Sequence, residues 1–226
     1  MKVGRMPNKR NGSTMDFAYE AIKAAILNGQ YSAGARLTEE DLAKTLEISR
    51  TPVREALHLL ESELLVETVP RVGLVVPAIS MVDLEEIFEV RWLVDGYSAR
   101  LAAKRISKGE LATLEALQKR IVEAAANKDS AAMGRTNLLF HRKILEATQN
   151  RRLIAFSKSI ADIIQLAIQQ TTLDGAESRI IAEHSRILEA LLAEDPDAAE
   201  AAARAHVEAG LEFHRRYLAE TTPHNA

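Results

Sequence analysis

Residues 48–57 of the chain read ISRTPVREAL, and this stretch decides how the N-terminal part is interpreted. Proline is tolerated in the first turn of a helix, so Thr51 and Pro52 mark the start of a helix, with Thr51 as its cap. Arg50 and Arg54 are four residues apart and therefore lie on the same side of that helix. Because their charges repel each other, we expect them to bind an anion outside the chain.

Two helices are predicted before this stretch and two short strands after it. Residues 16–29 have the apolar spacing of an amphipathic helix, and residues 38–46 form a second helix with Thr38 as its cap. The β-branched runs 64–69 and 74–78 flank a basic, glycine-containing turn, which is typical of a hairpin. Three helices and a two-stranded wing predict a winged helix-turn-helix, whose third helix enters the major groove of DNA.

The start of the third helix and the tip of the wing carry the candidate DNA contacts. Arginine binds guanine or phosphate through two parallel hydrogen bonds, and the free N–H groups of a helix start suit a phosphate. In the alternative interpretation the arginines are ordinary solvent-exposed side chains that pair with Glu47, Glu55 and Glu61. The predicted contacts are Ser49, Arg50, Thr51, Arg54 and Arg71.

The second part of the chain follows a helical pattern and has no proline between residues 78 and 195. We therefore predict a mostly α fold, in which the winged helix-turn-helix of residues 15–78 is followed by an all-α antiparallel bundle of six or seven helices over residues 79–220. Residues 1–14 are interpreted as a flexible basic arm and residues 221–226 as a disordered tail. Polar residues that can cap the bundle helices are Ser107, Asp129, Asn150, Asp174 and Asp195.

The composition excludes several classes of protein. The 226 residues contain no cysteine, which rules out disulfides and zinc–thiolate sites, and the longest apolar runs are too short to span a bilayer. A formal net charge of −3 argues against a protein that coats nucleic acid nonspecifically, but it allows a small basic patch that touches DNA. We expect a cytoplasmic protein that has no membrane partner.

Three histidines and an asparagine form a candidate metal site in the bundle. His184 and His206 each lie 11 residues from Asp195, so antiparallel helices joined there bring both to the same level, about 16 Å from the turn. Asn137 and His141 share one face of another helix. Three imidazoles and one side-chain oxygen suit zinc, nickel or a similar divalent ion. The alternative is that each histidine is a hydrogen-bonded residue of the core.

The stretch YEAIKAAILNGQYSAGARLTEEDLAKTLEISRTPVREALHLLESELLVE resembles the DNA-binding domain of the GntR family of bacterial transcription regulators. The resemblance implies that Arg50 and Arg54 contact DNA and that residues 71–73, including Gly73 as a further DNA contact, form the wing. The chain departs from the family at Leu64, where glycine is usual. It also has acidic residues 39–41 where some relatives carry another DNA-contacting arginine.

The second part resembles the FCD effector domain of the FadR subfamily of GntR regulators, through IFEVRWLVDGYSARLAAKR, NLLFHRKILEATQN and EHSRILEALLAEDPDAAEAAARAHV. In metal-containing members an aspartate or asparagine and three histidines surround a divalent ion. The resemblance also places Arg91 near the metal, where it would bind the carboxylate of an effector; the alternative is an ordinary helix pair with Asp95. The corresponding metal ligands here are Asn137, His141, His184 and His206.

These observations predict a ligand-responsive DNA-binding regulator, interpreted as a repressor. It binds a palindromic operator as a homodimer, which places it at the bacterial nucleoid, and it senses a small organic acid at a zinc or similar ion. One alternative is a regulator that senses the metal itself, and another is a purely structural ion. A metal-dependent hydrolase is disfavoured because Glu183, the nearest general base, is expected to point away from His184. His214 is expected at the surface.

Overall fold

The structure is a computed structural model that describes residues 13–170 and 175–221. The predicted arm and tail fall almost entirely outside these residues, as does the predicted cap Asp174. The mostly helical fold, with a two-stranded antiparallel wing, is confirmed. The elements are α1 Thr14–Leu27, α2 Glu39–Leu46, α3 Arg50–Ser62, β1 Glu67–Val69, β2 Gly73–Val75, α4 Met81–Ala103, α5 Lys108–Ala126, α6 Ser130–Ala147, α7 Arg151–Gln170, α8 Glu177–Leu192 and α9 Pro196–Thr221.

The described residues form two compact units. The first unit contains the residues up to Ile79 together with residues 162–170 from the end of α7. The second unit contains Ser80–Ala161 and the described residues from Gly175 onward. No window in the helices of the described residues combines the length and the hydropathy of a membrane span.

The core of the first unit is built by α1, α2 and α3 and includes a residue of α7. Ile22 of α1 and Leu57 of α3 are almost fully buried, and Leu166 joins the same apolar cluster. Beside this core the Lys23 ammonium lies 2.5 Å from an Asp162 carboxylate oxygen. Residues 162–170 are therefore an integral part of the first unit, for which the sequence pattern gave no sign.

Two details of the first unit differ from the sequence prediction. The helix α3 begins at Arg50 after Ser49, so Thr51 is not its cap, and the Ser49 side chain makes no capping hydrogen bond. Pro52 fits inside the first turn because the first four N–H groups of a helix have no intrahelical partner. The strands are also shorter than predicted. The chain turns at Leu64, which follows α3 and has a φ of 61°, so β1 begins only at Glu67. Pro77 has no N–H to donate, so it cannot extend β2.

We expect Leu64→Gly to stabilise the protein by about 0.5–1 kcal/mol. A left-handed backbone conformation costs a residue with a side chain about 1–2 kcal/mol, and glycine avoids this cost. Glycine also loses more conformational entropy on folding, which cancels part of the stabilisation. The Leu64 side chain is 68% exposed, so little burial is lost. Urea unfolding measures the change. The matched control is Leu93→Gly, since Leu93 is also exposed but lies within α4, where glycine should destabilise. A loss of stability in both variants would contradict this account of Leu64.

The second unit is an antiparallel bundle in which α4 and α8 pack against α9, and α5 packs against α6 and α8. Its core contains Leu114, Ile121, Phe140 and Ile187, all almost fully buried. Polar side chains cap the bundle helices as the sequence predicts, because each accepts hydrogen bonds from the backbone N–H groups of the following turn. The confirmed caps are Ser107, Asp129, Asn150 and Asp195.

Candidate metal centre and DNA-binding face

The N-terminal end of α3 forms an exposed polar face in the first unit. Ser49, Arg50, Thr51 and Arg54 are all exposed there, so the structure brings these four predicted residues to one helix end. Arg71 is exposed in the turn between β1 and β2 and Gly73 begins β2. Gly73 has a φ of 103°, which favours glycine.

The two arginines of α3 are paired with glutamates of α2. Two nitrogens of the Arg54 guanidinium donate to the two Glu39 oxygens at 2.8 and 2.9 Å, and Arg50 lies 2.7 Å from Glu40. The hydrogen bond from Arg54 lowers the pKa of the Glu39 carboxyl. The partners are therefore the acidic residues at the start of α2, and not the nearby glutamates expected from the sequence. Both arginines remain more than half exposed, and such surface pairs contribute little to stability.

Three histidines from three helices converge in the second unit. His141 of α6, His184 of α8 and His206 of α9 have ring nitrogens within 4.8 Å of one another, and Nε2 of His141 lies 3.1 Å from Nε2 of His206. The ring centroids of His184 and His206 are 4.9 Å apart. The antiparallel arrangement of α8 and α9 around Asp195 therefore brings these two rings together, as their equal distance from the turn predicts.

Burial keeps these imidazoles uncharged. Removal from water holds the pKa of His141 and of His184 well below the ordinary value, and the neighbouring histidines and Arg91 lower it further. Burial, with Arg91 and Arg179 nearby, lowers the pKa of His206 to about 3. A neutral imidazole offers a lone pair for metal coordination, so the cluster is in the protonation state that a cation requires.

Glu183 orients one of these rings, although the sequence suggested that it points away from the site. Its Oε2 lies 2.8 Å from Nδ1 of His206, and Arg179 donates to both oxygens of Glu183 at 3.0 and 2.8 Å. Because the carboxylate accepts the proton on Nδ1, the lone pair of His206 is placed on Nε2, the atom that faces His141. Glu183 was missed because its partner lies on α9, not on its own helix.

Buried polar atoms without a partner in the described part of the chain occur on His184 and on Asn137, which lies one turn before His141 on α6. They are both ring nitrogens of His184 and Oδ1 of Asn137. Buried polar groups without hydrogen bonds cost free energy, so the lone pairs of these atoms are available to a ligand. Three imidazole nitrogens and an amide oxygen fit the preferences of zinc and related divalent ions, so the residues present fit the metal that the family implies.

Arg91 lies on α4, is buried, and is close to the histidines. Its Nε and Nη2 donate to Asp95 Oδ2 at 3.2 Å, which is the helix pair considered as the alternative role. Its charge nevertheless contributes to the lowered pKa of His141, His184, His206 and His214. Burial raises the pKa of Asp95, against the opposing effect of Arg91. Arg91 therefore pairs with Asp95 within α4 and also lowers the pKa of the clustered histidines.

His214 is buried, so the expectation that it lies at the surface is wrong. Only 4% of the residue is exposed, and its ring makes edge contacts with Phe88 and Phe213, each at a centroid distance of 5.6 Å. Its Nδ1 has no hydrogen-bond partner among the residues that the structure describes. The signal in the sequence was its spacing, since positions 206, 213 and 214 recur at helical intervals on the buried side of α9.

The buried His214 makes the stability of the protein depend on pH. Burial lowers the pKa of His214 to about 4 in the folded chain, against 6.5 when it is exposed. Its full contribution to stability is therefore present above about pH 6.5 and is lost as the pH falls towards 4. We expect metal-free wild type to lose about 1 kcal/mol per pH unit more than His214→Leu over this range, as measured by urea unfolding. Parallel pH profiles would contradict the assignment.

Comparison with protein families connects these two sites to known regulators. Residues 14–76 match the model of the bacterial regulatory proteins of the gntR family, and residues 86–209 match the FCD domain. The chain is 29% identical over 204 residues to an uncharacterized HTH-type transcriptional regulator, YdhC, of Bacillus subtilis, and the match covers 89% of this chain and 91% of that protein. It is 32% identical over 197 residues to a probable D-xylose utilization operon transcriptional repressor of Paenarthrobacter nicotinovorans, covering 84% of each chain.

Solved structures share the fold. Escherichia coli McbR/YncC matches with a TM-score of 0.76 and 23% identity, over 92% of this chain and all of that one. A putative GntR regulator of Rhodococcus sp. RHA1 matches with a TM-score of 0.74. The matched families and relatives are transcription regulators and not enzymes. The chain belongs to the GntR family of bacterial regulatory proteins, in the group that carries an FCD domain, and is a DNA-binding regulator of transcription.

Proposed function

We propose that this regulator senses a small carboxylate at a divalent metal ion in its helical bundle. The ligands of the ion are His141, His184, His206 and Asn137, and binding of the effector changes the affinity of the protein for its operator. The observation that carries the proposal is the convergence of three uncharged imidazoles, the half-buried His141 and the buried His184 and His206, whose ring nitrogens lie within 4.8 Å of one another. A core histidine without a ligand would keep its nitrogens hydrogen-bonded, whereas His184 has neither nitrogen paired in the described structure.

Zinc is the ion that we assign first, with nickel and other imidazole-binding metals as alternatives. Imidazole nitrogens suit zinc, copper, iron and nickel, whereas magnesium and calcium prefer oxygen ligands. Asn137 would supply a neutral oxygen in place of the more common aspartate, so the ligand set carries no charge. Glu183 would hold His206 in the tautomer that coordinates through Nε2.

The balance of charge around the cluster favours an anionic effector. Arg91 is paired with Asp95 and Arg179 with Glu183, so these two ion pairs leave the surroundings close to neutral. A bound divalent ion would then bring two positive charges that nothing in this set compensates. A buried charge requires a partner, and a carboxylate that binds the metal and approaches Arg91 supplies one. The metal would attract the carboxylate as a Lewis acid, while the chain would position it.

At the DNA, we propose that a homodimer presents two copies of α3 to the two halves of a palindromic operator. Arg50 and Arg54 would contact bases or phosphates, Ser49 and Thr51 the phosphates near the start of α3, and Arg71 and Gly73 the adjacent backbone. We propose repression, because two relatives are described as repressors of a D-xylose utilization operon and of a gluconate operon. A further relative is described as an activator of the Glc operon. Acting on the bacterial chromosome, the protein would work in the cytoplasm.

The test begins with DNA that the full-length protein selects from random duplexes. We would load the protein with zinc, measure thermal melting against a panel of small carboxylates, and then titrate the selected DNA with and without each compound. A carboxylate present at 100 times its Kd stabilises the folded protein by about 2.7 kcal/mol, which raises the melting temperature by a few degrees. We expect the same compound to change operator affinity about 5- to 150-fold, the usual range of coupling between two sites.

The outcomes separate the alternatives. If operator affinity follows the free zinc concentration and no carboxylate has an effect, the protein senses the metal itself. If zinc raises the melting temperature but neither zinc nor a carboxylate changes operator affinity, the ion is structural. A protein that takes up no zinc, nickel or cobalt would overturn the proposed site.

A further inference from the structure

His214 is not one of the three histidines that converge in the second unit, nor one of the predicted DNA contacts. It lies on α9, it is almost fully buried, and Nδ1 has no partner among the described residues. A buried nitrogen without a hydrogen bond destabilises the folded protein. Leucine at this position would avoid that cost, so the presence of histidine indicates that Nδ1 meets a polar group in the working protein.

The surroundings of His214 are aromatic, and two ion-paired arginines lie against the aromatic rings. Phe88 and Phe213 contact its ring, and each of these phenylalanines has an arginine over its face. The Cζ atom of Arg91 lies 5.0 Å from the centroid of Phe88, and that of Arg179 lies 5.6 Å from the centroid of Phe213. His214 is therefore flanked by two arginine–phenylalanine pairs, whose rings suit a ligand with an apolar body, while the unpaired Nδ1 suits a polar group at its end.

The position of His214 connects it to the histidine cluster. His206 and His214 are eight residues apart on α9 and are both buried, which separates their Cα atoms by about 12 Å along the helix. Between them lies Gly210, where an added Cβ would approach Cε1 of Phe88 to 2.9 Å. Glycine thus allows Phe88, with Arg91 stacked on it, to pack against α9 between the two histidines.

We propose that His214 is the distal contact of the effector and selects an elongated carboxylate with a polar group at its far end. This inference rests on the proposed function: one carboxylate binds at the metal and Arg91, the apolar body lies along Phe88, and the far polar group hydrogen-bonds to Nδ1 of His214. A site built around a buried polar atom discriminates strongly against a ligand that leaves this atom unpaired. The class of effector is therefore a linear dicarboxylate, which carries its second polar group at the far end.

The test compares ligands of equal length with and without the second polar group. Calorimetric titration of the zinc-loaded full-length protein would use butanoate against succinate, pentanoate against glutarate and hexanoate against adipate. We expect the dicarboxylate of at least one pair to bind about tenfold more tightly than its monocarboxylate partner, as one additional hydrogen bond to the site provides. In His214→Leu this preference should disappear while the zinc content and the affinity for the monocarboxylate stay unchanged.

Two further measurements separate a ligand contact from a structural role. The metal-free His214→Leu protein should melt at or above the temperature of the wild type, because it has lost an unpaired buried nitrogen, and His214→Gln should retain part of the preference. Equal binding of each pair by the wild type, or a preference that survives in His214→Leu, would overturn the role of His214 and leave the metal-bound carboxylate intact. A protein that binds zinc but none of the six acids would overturn the linear dicarboxylate as effector, whereas failure of the whole carboxylate panel would overturn the proposed function.

Discussion

Arg54→Ala is expected to weaken specific operator binding about 100-fold or more without changing the melting temperature. Arg54 is 58% exposed on α3 and its protein contact is the surface pair with Glu39, so its removal leaves the core intact. Each bidentate arginine–guanine contact contributes about 1–3 kcal/mol, and a dimer on a palindrome loses two. Fluorescence anisotropy with the selected operator and with scrambled DNA measures the effect at a fixed salt concentration.

The matched control is Glu39→Gln, which removes the negative charge that pairs with Arg54. In the free protein the carboxylate neutralises the guanidinium and must be separated from it when the arginine binds DNA. We therefore expect Glu39→Gln to bind all DNA more tightly and with a steeper dependence on salt, because more cationic charge reaches the phosphates. Unchanged operator affinity in Arg54→Ala would mean that Arg54 only pairs with Glu39 and does not contact DNA. Arg50 would then be the next residue to test as a DNA contact.

Local chemistry in the sequence predicts most of the fold. The helix starts at Ser107, Asp129 and Asp195 are visible because a short polar side chain precedes each apolar repeat, and the capping bond is made within one turn. The position of the wing also follows from local turn chemistry. The end of α7 does not: residues 162–170 continue the helical pattern, and the pattern cannot tell which apolar surface Leu166 contacts. Tertiary packing decides that question.

In the candidate metal centre, too, local geometry can be predicted from the sequence but packing between helices cannot. The equal spacing of His184 and His206 from Asp195 predicts that they meet, since it depends only on helical rise and a single turn. The contact between Glu183 and His206 could not be predicted, because it depends on how α8 is rotated against the neighbouring helix α9. The pairing of Arg54 with Glu39 was missed for the same reason, since it joins α3 to α2 across the surface.

His184→Leu is expected to remove the stabilisation of the protein by zinc. The His184 ring is fully buried, stacks on Phe140 at a centroid distance of 4.2 Å, and has both nitrogens unpaired in the described structure. Leucine fills a similar volume without polar atoms, so the metal-free variant should be at least as stable as the metal-free wild type. With zinc at 100 times the wild-type Kd, the wild type gains about 2.7 kcal/mol and the variant gains almost nothing. Thermal melting with and without a chelator measures both quantities.

Two companion variants identify the reason for any loss. His58→Leu removes an exposed imidazole from the first unit and should keep the full zinc shift. Glu183→Gln keeps all three histidines but weakens the acceptor that fixes His206, so it should lower zinc affinity about 10- to 100-fold, as loss of an outer-shell partner does. The predicted order of zinc affinity is therefore His58→Leu above Glu183→Gln above His184→Leu. A zinc shift that survives in His184→Leu but disappears in His58→Leu would move the metal to the surface and leave the buried histidines as residues of the core.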